Sequence, residues 1–162
     1  MTDQGHALGK RAAHLERAID LAVANVAAGG GPFGAVLVTQ DGRVFEGVNR
    51  VTRDNDPTAH AEVVAVRNAC RELGAFELSG AVLYASCEPC PMCLAAALWA
   101  RVPEVWFAAD RHRAAAAGFS DAQFYAFIEG EDRSAMRVAQ AGQSRAHEPF
   151  AAWERFEGRT RY

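Results

Sequence analysis

The sequence predicts an α/β fold with some parallel strand pairing, and three observations predict it. A stretch of helical periodicity comes first, a β-hairpin signal follows, and short apolar runs then alternate with helical segments through the middle of the chain. The first helix carries Leu15, Ala18, Ile19, Ala22, Val23 and Val26 at helical spacing and ends at Gly29-Gly30-Gly31-Pro32. Residues 34–39 and 43–48 read as strands, and the Asp41-Gly42 pair between them is a strong hairpin turn. A polar loop over 49–57 leads to a helix over 59–73 that stops at Gly74. Residues 81–85 and 105–109 read as buried strands on either side of an Ala-rich helix over 90–101. In the last third, 114–117 is a helical turn or a connector, 121–128 a short helix, and 149–156 a final helix with Phe150, Trp153 and Phe156 three apart. No repeat or long linker interrupts the chain, so one domain over 1–162 is expected.

Composition removes several classes of function. With 162 residues, half of them hydrophobic, the chain can bury a full core without disulfides or metal. Seventeen basic against 20 acidic residues give a net charge of -3, which favours neither nucleic-acid phosphate nor an anionic membrane. No apolar run approaches a membrane span, and residues 1–10 lack the apolar centre of a signal peptide. A cytoplasmic protein is therefore expected, where clustered thiols bind metal or do redox chemistry rather than form disulfides. Of the four cysteines, Cys87, Cys90 and Cys93 are spaced three apart.

Two segments carry the chemistry: Thr58-Ala59-His60-Ala61-Glu62 and Cys87-Glu88-Pro89-Cys90-Pro91-Met92-Cys93. On the helix opened by the first, Glu62 falls at the centre of an apolar arc of Val63, Val66, Ala69, Cys70 and Leu73. A carboxylate there is an anomaly unless it is held in a pocket with a raised pKa, ready to carry protons. His60 sits at the frayed first turn, after the capping and helix-starting residues Asp56-Pro57-Thr58. Cys90 and Cys93, one turn apart at a helix N-terminus, share a face and have their thiolates favoured by the helix dipole. One His and two Cys leave the fourth tetrahedral position for water, the arrangement of a catalytic zinc. The series His60-x-Glu62 with Pro89-Cys90-x-x-Cys93 is the signature of zinc nucleobase deaminases. Cys87 also admits a four-ligand structural zinc or an iron–sulfur site. It precedes the helix, however, and such a site would leave the Glu62 anomaly without a purpose. Its own role stays open.

At these residues the chain resembles the cytidine-deaminase-like superfamily and, within it, the small bacterial guanine deaminases. The resemblance is carried by residues 30–36 (Gly-Gly-Pro-Phe-Gly-Ala-Val), 55–62 (Asn-Asp-Pro-Thr-Ala-His-Ala-Glu) and 86–93 (Ser-Cys-Glu-Pro-Cys-Pro-Met-Cys). Ala117-Gly118-Phe119, Pro149-Phe150-x-x-Trp153 and Tyr162 extend it toward the C-terminus, a tail that the tRNA adenosine deaminases lack. It implies a three-layer α/β/α sandwich around a central mixed sheet, with one Zn2+ per chain held by His60, Cys90 and Cys93. It also implies that the Asn49 amide holds the purine, that Asp121 assists proton transfer or binds the base, and that Phe33 and Trp99 could stack on it. A homodimer follows from the same resemblance, with a segment over about 145–162 swapped so that Tyr162 reaches the partner's pocket. Each residue has a plainer role as well: a turn for Asn49, a helix cap for Asp121, core packing for Phe33 and Trp99, a frayed end for Tyr162. Arg111-His112-Arg113 is more basic than the family pattern at the pocket edge.

The reaction these residues imply is hydrolytic deamination of a free purine base, guanine to xanthine and ammonia, with Glu62 moving the protons. The motifs serve equally for another aminated ring: a triazine such as ammeline, a cytosine-like base, or guanosine. A tRNA adenosine deaminase and a purely structural zinc module are weaker alternatives. The acidic balance argues against the first, and the buried carboxylate against the second.

Overall fold

The computed structural model describes residues 3–161, with side chains from Leu8 onward. The Asp41-Gly42 turn joins β1 (Gly34–Val38) to β2 (Val44–Val48), paired antiparallel from Gly34↔Val48 to Val38↔Val44. Beside β1 on its other edge runs β3 (Val82–Cys87), also antiparallel, and β3 pairs in parallel with β4 (Glu104–Ala109). The sheet is therefore mixed, in the order β2-β1-β3-β4. Two connections cross over the sheet: β2 to β3, past the intervening β1, through α3 (Ala61–Leu73), and β3 to its parallel neighbour β4 through α4 (Pro91–Trp99).

Helices cover both faces, which gives the three layers expected. The helix α1 (Asp3–Ala27) packs on β1 and β3, and α3 (Ala61–Leu73) on β2 and β1 from the opposite side. Two glycines permit this close approach. A Cβ on Gly34 would meet the Ala18 carbonyl oxygen of α1 at 2.3 Å, and one on Gly47 the Ala61 carbonyl oxygen of α3 at 2.1 Å. The main core lies on the α3 side, where Ala35, Leu37, Phe45 and Leu83 of the sheet meet Ala61, Ala65 and Ala69 of α3 and Ala97 of α4.

Several elements depart from expectation. The first helix begins at Asp3, well before Leu15, the first residue of its apolar periodicity. Its buried stripe is Ala18, Ala22 and Asn25, while Ile19, Val23 and Val26 are exposed. The polar loop contains a helical turn, α2 (Val51–Asp54), closed by a two-pronged Arg50–Asp54 ion pair and a left-handed Asn55. The Ala-rich connector is α5 (Arg111–Ala116), capped by the Asp110 carboxylate on the Arg113 N–H. After it come α6 (Ala122–Glu129) and α7 (Glu148–Arg155). Beyond Val102 no described residue is buried. Among the described residues, no helix is long and apolar enough to cross a membrane.

Candidate active site

The two chemical motifs meet because each opens a helix on the same end of the sheet. Upstream of α3, the Asp56 carboxylate accepts the Thr58 N–H and hydroxyl at 2.8 and 2.6 Å, and Arg67 reaches back to both residues. That braced loop delivers His60 as the N-cap of α3 with extended backbone. Cys90 is likewise the N-cap of α4, with Pro91 as its first helical residue and Cys93 one turn along. Neither N-cap side chain makes a capping hydrogen bond, so both heteroatoms are free to face each other.

His60 Nδ1 lies 3.6 Å from Cys90 Sγ and 3.5 Å from Cys93 Sγ, and the sulfurs are 3.6 Å apart. A tetrahedral zinc asks for about 3.8 Å between two thiolates and about 3.5 Å between thiolate and imidazole nitrogen, so the donors fit one zinc per chain. Among the described residues, these three form the one cluster of His, Cys and carboxylate groups so arranged. Cys87 is not part of it, since its thiol turns to the Asp110 carbonyl oxygen at 3.7 Å. The hydrogen bond between the two sulfurs brings the Cys90 pKa down to about 4, with His60 beside it, and together with burial pushes that of Cys93 up.

Glu62, in the first turn of α3, is 8% exposed, and desolvation pushes its pKa above the usual carboxylate range. The apolar arc read from the sequence thus does bury a carboxylate, and it faces the metal ligands rather than a hydrocarbon core.

In front of these groups opens a cavity of about 490 Å³, within the range of small-molecule sites. Its lining includes Phe33, Asn49, His60, Glu62, Cys90 and Asp121. Asn49 is tied in place by its own N–H on the Phe33 carbonyl at 3.1 Å and by the Val51 N–H on its Oδ1 at 3.3 Å. Phe33 stands edge-to-face against Phe119 across the mouth, with ring centres 5.1 Å apart. Asp121 occupies the N-cap position of α6 but makes no capping hydrogen bond, and burial raises its pKa. The structure does not bring Trp99 to the cavity. That residue is 69% exposed at the far end of α4, about 9 Å along the axis from Cys93. Tyr162 lies outside the described residues.

Sequence patterns assign no cavity role to Phe119 and Phe124, which line the outer wall beside Arg111, the first residue of the basic run expected at the pocket edge. The Glu88 carboxylate accepts the Arg111 N–H at 3.0 Å. That bond fastens the cysteine loop to the start of α5. The pairing of Phe119 with Phe33 spans 86 positions, which no local pattern reveals.

Residues 9–109 match the family model described as the cytidine and deoxycytidylate deaminase zinc-binding region. The guanine deaminase of Bacillus subtilis (strain 168) is 48% identical over 151 residues, covering 91% of this chain and 96% of that protein. The X-ray structure of guanine deaminase from Bacillus subtilis superimposes with a TM-score of 0.88 at 46% identity, over 100% of this chain and 99% of the other. The tRNA-specific adenosine deaminase of Agrobacterium fabrum is 49% identical over only 80 residues, 49% of this chain and 52% of that protein. Motif, donor geometry and likeness along the chain agree, and the chain belongs to the cytidine and deoxycytidylate deaminase family.

Proposed function

We propose that this protein hydrolyses guanine to xanthine and ammonia. The observation that carries the reading is the meeting of a zinc-fitting donor triad and a buried carboxyl on one cavity of nucleobase size. Likeness to a guanine deaminase over nine-tenths of the chain supports the choice of base.

Bound by His60, Cys90 and Cys93, zinc supplies a Lewis acid that makes water acidic near neutral pH. The rest belongs to the chain's own side chains. Glu62 takes a proton from the attacking water and passes it to N3 of guanine as the new C–O bond forms at C2. A second proton from the water leaves with the amino group as ammonia, and the C2–N bond breaks. One carboxyl can act as base and then as acid because burial has already brought its pKa toward that of the acidified water. Asn49 binds the purine edge through its amide, Phe33 stacks on or closes over the ring, and Asp121 assists proton transfer or binds the base.

The molecule is further proposed to work as one cytoplasmic domain paired in a homodimer, with a segment near 145–162 exchanged between protomers. Supporting this, Phe124 and Ile128 of α6 and Phe150 and Trp153 of α7 are each at least 41% exposed in the isolated chain, large apolar side chains that a partner would cover.

An ultraviolet assay of guanine loss, with bound metal quantified on the same sample, tests the reading. Guanine turnover with one zinc per chain supports it. Zinc without guanine turnover, but with ammonia released from guanosine, a cytosine-like base, ammeline or tRNA, overturns the substrate.

A further inference from the structure

We infer that Asn25 is a positioning residue for substrate binding, a side chain that never meets the base but sets where Asn49 stands. The inference rests on the proposed binding role of Asn49. Asn25 occupies the buried stripe of α1 in register with Ala18 and Ala22 and is only 4% exposed. A buried amide inside a helix loses on both propensity and desolvation unless hydrogen bonds offset the loss. Here both amide protons are used. Nδ2 donates to the Gly31 carbonyl at 2.8 Å and to the Asn49 carbonyl at 2.8 Å. Those carbonyls belong to the two backbone segments that build one wall of the cavity, the loop over 29–33 and the end of β2.

The approach leaves no slack. A Cβ on Gly30 would fall 2.4 Å from Asn25 Nδ2, and one on Gly31 would fall 3.0 Å from Asn49 Oδ1. Gly30 also donates its N–H to the Asn25 carbonyl at 2.8 Å. The absence of side chains at Gly30 and Gly31 therefore leaves the room that the Asn25 and Asn49 amides occupy. With its N–H on Phe33, its carbonyl on Asn25 and its Oδ1 on Val51, Asn49 has every polar group fixed except Nδ2, which is left to an acceptor on the base. Only an amide supplies two donors in that volume. An aspartate there would set acceptors against two carbonyls, and a leucine would leave both unpaired.

Guanine kinetics and zinc content of the wild type, Asn25→Leu, Asn49→Ala and the double variant test the inference. Asn25→Leu should raise KM about tenfold, the effect of one displaced hydrogen bond, with zinc at one per chain and kcat within about threefold. Because Asn25 acts through Asn49, the double variant should be no worse in KM than Asn49→Ala alone. A raised KM for Asn49→Ala with an unchanged KM for Asn25→Leu overturns the Asn25 role and leaves that of Asn49 standing. KM increases that multiply in the double variant also overturn it. An unchanged KM in Asn49→Ala removes both roles together. Should Asn25→Leu fail to fold, Gly30→Ala, which presses on the same amide while keeping every donor, takes its place in the cycle with the same expected outcomes.

Discussion

At 8% exposure the Glu62 carboxyl is held away from the water that would ionise it, and its nearest polar company is the metal site. Glu62→Gln keeps the shape and hydrogen-bonding reach but removes the exchangeable proton. Guanine turnover should fall about 10³-fold while zinc stays at one per chain, and metal analysis beside the ultraviolet assay reads both. Cys93→Ala should have the complementary signature. A 1% exposed ligand is lost, zinc content drops after dialysis, and activity falls with it. At this scale the sequence was most informative, because metal ligation needs particular atoms at particular spacings and leaves its mark in local motifs. Asn25 was missed although it stands on the stripe of Ala18 and Ala22, since its partners are carbonyl oxygens, which carry no residue identity. Trp99 shows the converse: an aromatic near a motif says nothing of which end of its helix it occupies, and in the isolated chain this one stands outside the cavity lining.

Between sheet and helix, two glycines set the layer spacing. Gly47→Ala would drive a methyl group against the Ala61 carbonyl oxygen and the Ala65 nitrogen, 2.1 and 2.5 Å away. Backbone cannot give way as a flexible side chain can, so a loss of about 2 kcal/mol is expected, read as a fall of about 4–8 °C in the melting temperature. Gly9→Ala provides the opposite sign. Within α1 and with nothing within 4 Å of its would-be Cβ, it should raise stability by about 0.5–1 kcal/mol. Elements with strong local signals were legible from sequence: the Asp-Gly hairpin, the Gly74 stop and the alternation of strands and helices. The turn α2 was not, because an Arg50–Asp54 pair and a left-handed Asn55 create it rather than any periodicity. The α1 stripe was misjudged because small alanines pack closely on the sheet while the larger Ile19, Val23 and Val26 turn outward.

Taken whole, the molecule has a dense half and a spread half that meet near β4. Among the described residues, everything buried lies up to Val102, and the helices α5, α6 and α7 lie open beyond it. Sedimentation should therefore return twice the 17.4 kDa chain mass. Phe150→Asp combined with Trp153→Asp should shift that value to the single chain, since charge on an apolar contact surface opposes association. A wild-type monomer at micromolar concentration would remove the dimer. The sequence supplied the helices of this half but not their surroundings, because an exposed Phe and a Phe waiting for a partner read alike.

His60 and Cys90 each stand where a helix would ordinarily find a serine or aspartate, and neither closes its helix end with its side chain. Forgoing a cap costs about 1 kcal/mol at each helix. In return, a single cation can clasp two helix ends that are 30 residues apart along the chain, so metal loading and local order become one equilibrium. Amide hydrogen exchange should carry the mark of this: chelation would loosen the first turns of α3 and α4 together, while the strands between the layers keep their protection.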